Sequence, residues 1–157
     1  MPDLTIIIAL YGAVLATILG ILELYRFRVE QGEKKPKVKV TITPSLISQG
    51  QEVSPALLTL EAANTGQISV TFRSIPSLLL PNGKKLILLS ADKDFEFPHT
   101  LTPGNSCSVW REMNKIAREL SKNGLSGQVA VVGEFTDSVG NSYRSKPFQF
   151  NIEGWAK

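Results

Sequence analysis

The stretch GQVAVVGEFTDSVGNSYRSKPFQFNI, Gly127–Ile152, decides how the second half of the chain is read. Two apolar-rich runs, GQVAVVGEF and SYRSKPFQFNI, flank the turn-forming residues Asp137-Ser138-Val139-Gly140-Asn141, which is a hairpin signal. Tyr143 and Phe148 differ by an odd number of positions. For both to face a core the strand has to shift phase between them, and Pro147 marks the place for a bulge or an edge.

Working outward from this hairpin, a period of two recurs. KVKVTIT turns Val38, Val40 and Ile42 inward, and LLTLEAA puts Leu58, Leu60 and Ala62 on one face. After the turn Asn64-Thr65-Gly66, residues Ile68, Val70 and Phe72 alternate again. LLLPNGKKLILL is a second hairpin signal around Pro81-Asn82-Gly83, and Pro103-Gly104 turns into the strand NSCSVW. Short strands separated by turns predict an antiparallel β-sandwich.

One segment breaks the pattern. In REMNKIARELSKNG, Met113, Ile116, Ala117 and Leu120 recur at i, i+3, i+4 and i+7, followed by the stop signal Asn123-Gly124. This predicts one short helix crossing between late strands. Arg111, Lys115, Arg118 and Lys122 fall opposite its apolar face, within a stripe of roughly 60°. They form a candidate docking ridge for anionic lipid or an acidic partner surface. Glu112 and Glu119 flank the ridge and are spaced to pair with Lys115 or Lys122.

The N-terminal part is of another kind. LTIIIALYGAVLATILGILELYRFR, Leu4–Arg28, holds a long uncharged run from Leu4 to Leu22. As a helix rising ~1.5 Å per residue, such a run spans roughly 28 Å, close to the ~30 Å hydrocarbon core of a bilayer. It lacks the polar face of a soluble core helix, the basic start of a signal peptide and a small-residue cleavage site. The reading is a retained transmembrane helix over residues 1–25. Gly12, Ala16 and Gly20 repeat every four residues along one face, where small side chains let two such helices approach closely. A basic juxtamembrane linker, 26–37, and a β domain, 38–157, follow.

Charge gives the orientation. Arg26, Arg28, Lys34, Lys35, Lys37 and Lys39 stand against Glu30 and Glu33 after the apolar run, whereas Asp3 stands before it. Basic flanks mark the cytoplasmic side, so the expectation is an inner-membrane, single-pass protein with its N-terminus outside. The net charge of +3 is concentrated in this patch, and the remainder is nearly balanced, unlike the broad basic face of a nucleic-acid binder.

Three short motifs carry a resemblance. NTG, closing one strand, and LTPGNS, Leu101–Ser106, opening another, are similar to the turn patterns of bacterial immunoglobulin-like sandwich domains. YRSKPFQF resembles the last strand of bacterial single-pass, membrane-anchored proteins that carry such a domain. The likeness extends over about residues 38–152. The paired cysteines of antibody domains are missing, and Trp110 stands outside an early central strand. The resemblance implies a binding or scaffolding module, without catalytic residues or a cofactor to carry over.

The chemical inventory is sparse. A lone histidine, His99, and a lone cysteine, Cys107, cannot build a histidine- or cysteine-based metal site or a disulfide. Phosphate-loop, dinucleotide and nucleophile-elbow motifs are missing. Asp92, Asp94 and Glu96 share a spacing that could offer three carboxylates to Ca²⁺ or Mg²⁺, the basis of an alternative metal-dependent sensor or enzyme. A domain held outside the cytoplasm on a stalk is another alternative. The leading expectation is a non-enzymatic, membrane-anchored adaptor that binds another protein, with self-association possible through the span.

Overall fold

The computed structural model describes residues 3–33, 36–46, 48–49, 52–89 and 91–155. The chain divides into two compact units, 1–35 and 36–157. The first is the helix α1, Leu4–Glu33, and Ile6–Val29 within it is long and apolar enough to cross a membrane. No side chain between Ile6 and Val29 is buried within the chain. The helix continues into the stretch expected to be a linker as far as Glu33, and passes Gly32. A single glycine costs ~1 kcal/mol relative to alanine, too little to stop a helix that is already propagating.

The second unit begins with β1 (Val38–Ser45), the short pair β2 (Ser48–Gln49) and β3 (Glu52–Val53), β4 (Leu57–Asn64) and β5 (Val70–Phe72). β6 (Ser77–Leu79), β7 (Lys85–Ile87), β8 (Asp92–Lys93), β9 (His99–Leu101) and β10 (Ser106–Glu112) follow. The helix α2 (Met113–Lys122) then leads to β11 (Gln128–Thr136), β12 (Ser142–Arg144), β13 (Phe148–Asn151) and the single turn α3 (Ile152–Trp155).

All pairings are antiparallel. One sheet has the order β1-β4-β10-β8. The other has β12-β11-β6-β7, with β13 also on β11. Leu58, Leu60 and Ala62 are buried from the first sheet, and Val129, Val131 and Phe135 from the second. Together with Ile116 and Leu120 of α2 they belong to one hydrophobic core. At Gly133 the two sheets come close: a Cβ there would lie 2.9 Å from Leu60 Cδ2 and 3.2 Å from Ile42 Cδ1.

The phase shift expected in the last hairpin is present. From Glu134↔Arg144 to Val131↔Phe148, β11 moves three positions while its partner moves four. The extra residue is absorbed around Ser145, whose N–H donates to the Gly133 carbonyl at 2.9 Å and whose Oγ accepts from the Gly133 N–H at 2.9 Å. The hydroxyl stands in for a ladder group, so the bulge leaves no buried amide unpaired there. Tyr143 then meets Phe72 edge-on, and Phe148 also packs against the core.

Two expectations change. Ile68 lies before its strand and is exposed, because the Asn64 side chain takes the Ile68 carbonyl at 2.8 Å and holds 64–68 as a turn. Arg111 belongs to β10 and not to the helix, which starts at Met113. The Met113 N–H donates to the Ala56 carbonyl at 2.8 Å, so β10 pairing extends to the helix start.

Candidate functional site

Along β11 the odd positions face the core, and Val132, Glu134 and Thr136 face outward. Glu134 is nevertheless only 1% exposed. Its position beside Ser77 of β6 brings Lys85 of β7 and Arg144 of β12 within reach from opposite sides. Arg144 Nε donates to Oε2 at 2.7 Å, and Lys85 Nζ donates to Oε1. Burial pushes the Glu134 carboxyl up, but the hydrogen bonds and charges of Lys85 and Arg144 outweigh it and hold the group below its ordinary 4.5. Both cations keep half or more of their side chains exposed.

Above Glu134 and Ser77 opens a cleft of about 570 Å³. Ile75, Ile87, Leu89 and Phe97 give it apolar walls, while Arg73 and Lys85 supply charge. Arg73 is exposed, and among the described residues it forms no ion pair. Ile87 and Leu89 are 52% and 74% exposed. The cleft thus joins exposed aliphatic side chains to a guanidinium without an ion pair among the described residues.

Two buried polar groups elsewhere serve the architecture. Asn64 donates to the Ile68 and Leu101 carbonyls at 2.8 and 2.9 Å, and its Oδ1 accepts from the Gly66 N–H at 3.0 Å. Its backbone bonds Asn105 and Gly104, so the NTG and LTPGNS turns form one knot. Asp137 closes the late hairpin loop by accepting from the N–H groups of Val139 and Asn141, the Asn141 amide and the Tyr143 hydroxyl. Burial alone would push the Asp137 carboxyl up, yet these bonds hold it below its ordinary 3.8. Burial, with the hydrogen bond to Asp137, pushes the Tyr143 phenol up to about 12.

The residues singled out from sequence are placed as follows. Lys115, Arg118 and Lys122 are all exposed on α2. Lys115 pairs with Glu112 at 2.5 Å, which leaves Arg118 and Lys122 as the ridge charges without an ion pair among the described residues. Arg111 is buried and grips Glu119 with both NH groups, so Glu119 does not serve Lys115 or Lys122. Asp92, Asp94 and Glu96 do not converge: Asp94 accepts from the Ser108 N–H at 3.0 Å, and Glu96 pairs with Lys93 at 2.8 Å. Among the described residues, no group of three His, Cys, Asp or Glu side chains could hold a metal ion.

His99 packs against Phe95 with the rings tilted by 44° and 4.4 Å between centroids. Cys107 is buried on β10, and burial together with the Asp94 charge pushes its thiol up to about 12, an unreactive setting. On α1, Gly12, Ala16, Gly20, Arg26 and Arg28 are exposed, and a Cβ at Gly12 or Gly20 would meet nothing within 4 Å. Lys37 and Lys39 are exposed at the start of the β unit, and Lys34 and Lys35 lie outside the described residues.

Sequence reasoning missed Glu134, Lys85, Arg144 and Arg73. In VVGEF, Glu134 has the phase of an ordinary solvated strand residue. Nothing local signals that cations about fifty positions upstream and ten downstream close over it.

No protein-family model and no curated protein matches the chain. Among solved structures, the X-ray structure of Northeast Structural Genomics Consortium target SoR45 matches with a TM-score of 0.36 and 12% identity. That match covers 76% of this chain and 88% of the other.

Proposed function

We propose that the protein is a non-enzymatic, single-pass membrane adaptor that presents an immunoglobulin-like β-sandwich to the cytoplasm and holds a protein partner at the inner membrane. The carrying observation is the helical stretch Ile6–Val29, uncharged as far as Leu22 and without a buried side chain in its own chain. Lipid would remove that surface from water at ~25 cal/mol per Å² of apolar area.

Sheet order supports the immunoglobulin-like reading. The order β1-β4-β10-β8 follows A-B-E-D, and β12-β11-β6-β7 follows G-F-C with an added C′ strand. Arg26, Arg28, Lys37 and Lys39 support a cytoplasmic domain, since basic flanks stay inside. Confinement near the bilayer raises the effective concentration of the domain for any partner held there.

A C-terminal fusion tests this reading. A reporter active only outside the cytoplasm should stay silent, and one fluorescent only inside should glow. Replacing Arg26, Arg28, Lys34 and Lys35 by Gln should weaken that preference. A wild-type C-terminus accessible from outside would sink the adaptor model.

A further inference from the structure

The strand β7 ends the order of its sheet, with β6 on one side and no strand on the other among the described residues. Its hydrogen-bond phase is set by Leu80 N–H to Lys84 O at 2.9 Å and Leu88 N–H to Pro76 O at 3.2 Å. In an antiparallel pair alternate residues bond the partner strand. Residues 84, 86 and 88 therefore turn their backbone groups to β6, and Lys85 and Ile87 turn theirs to the open side. The side chains of Lys85, Ile87 and Leu89 are the ones that line the cleft beside Glu134.

Exposed strand edges are commonly blunted by a projecting lysine or by brevity. Here the edge is short, but Lys85 is turned onto Glu134. What remains at the edge is Ile87 and Leu89, both more than half exposed, so the edge is protected by its shortness and not by a projecting charge. Three cations, Arg73, Lys85 and Arg144, surround one carboxylate, so the locality carries excess positive charge. A strand added to β7 would direct alternate side chains to this same face, within ~5 Å of Lys85 and Ile87.

We propose that an extended segment of a partner protein, carrying acidic and apolar residues in turn at every second position so that both kinds reach this face, adds as a strand to the open edge of β7. Its apolar side chains lie along Ile87 and Leu89, and its acidic ones face Arg73 and Lys85. Backbone bonds to Lys85 and Ile87 supply the attachment, and the cleft supplies the preference. This rests on the adaptor reading and names the surface that reading lacks.

The test uses the full chain in lipid nanodiscs, a short synthetic peptide with glutamate and valine in turn at every second position and threonine between them, and amide hydrogen exchange. The peptide should protect the Lys85 and Ile87 amides, and Arg73→Glu should weaken its binding about tenfold. Ile87→Pro removes an outward N–H without touching the β6 ladder and should abolish binding. Should that variant fail to fold, Ile87→Glu, on a half-exposed side chain, should repel the same peptide. Equal protection by the same peptide with lysine in place of glutamate overturns the proposal. So does binding that leaves the Lys85 and Ile87 amides exchanging freely, or no protection at about 1 mM peptide. Protection that grows with protein concentration in the absence of peptide assigns the edge to a second copy and also overturns it. A cytoplasmic reporter signal with an unbound edge sinks this proposal alone, whereas an outside reporter sinks the adaptor reading.

Discussion

The Asn64 side-chain amide donates to the Leu101 carbonyl at 2.9 Å, a bond between residues 37 positions apart that joins two turns at the end of the first sheet. Because Asn64 is 1% exposed, its hydrogen-bond partners have no water to replace it. Asn64→Ala should therefore lower stability by about 3 kcal/mol, from carbonyls and an N–H left unpaired. Asn64→Asp should cost more, since it sets a carboxylate against the Ile68 and Leu101 carbonyls. Urea unfolding of both variants measures the difference, and equal midpoints would contradict the knot.

Acid should loosen the second sheet. Glu134 and Asp137 both have folded values below their ordinary 4.5 and 3.8. Each then contributes stability that is fully present above its ordinary value and lost as pH falls through the folded one. Melting temperature should be flat from neutral pH down to about 5 and fall below that. Glu134→Gln with Asp137→Asn should lower it at neutral pH and flatten the acid slope. A parallel shift with an unchanged slope would show that other groups set the acid limit.

Gly133 is a contact between sheets. Gly133→Ala should cost about 1–3 kcal/mol, since the added methyl would lie 2.9 Å from a side-chain carbon of fully buried Leu60. Leu60→Val in the same chain should recover part of that loss. Chemical denaturation of the two single variants and the double one reads the coupling directly.

The face of α2 should divide into structural and free charges. Glu119→Ala leaves buried Arg111 unpaired and should lower the melting temperature clearly. Charge reversal at Arg118 and Lys122 should leave it unchanged, as both side chains are exposed. If this ridge meets anionic lipid, two charges at about 1 kcal/mol each amount to roughly thirtyfold in affinity. Sedimentation of a fragment spanning 36–157 with anionic vesicles, wild type against the reversed variant, measures that ratio.

Self-association through the helix has its own test. Gly12→Ile with Gly20→Ile should reduce crosslinked dimer in membranes, because branched side chains hold the two backbones apart. Unchanged dimer yield would remove Gly12, Ala16 and Gly20 from any interface.

Local pattern sufficed for some features of this protein. The apolar helix, the alternation of Leu58, Leu60 and Ala62, the hairpin at Asn82-Gly83 and the phase shift before Phe148 were all legible in sequence. Each depends on neighbours within a few positions, where periodicity and turn chemistry act. Tertiary structure decided the rest. Arg111 looked like a ridge residue until β10 carried it inside to Glu119, and Glu134 looked solvated until Lys85 and Arg144 closed over it. A sheet makes lateral neighbours of residues far apart in the chain, so which charges become buried partners is set by strand order and register.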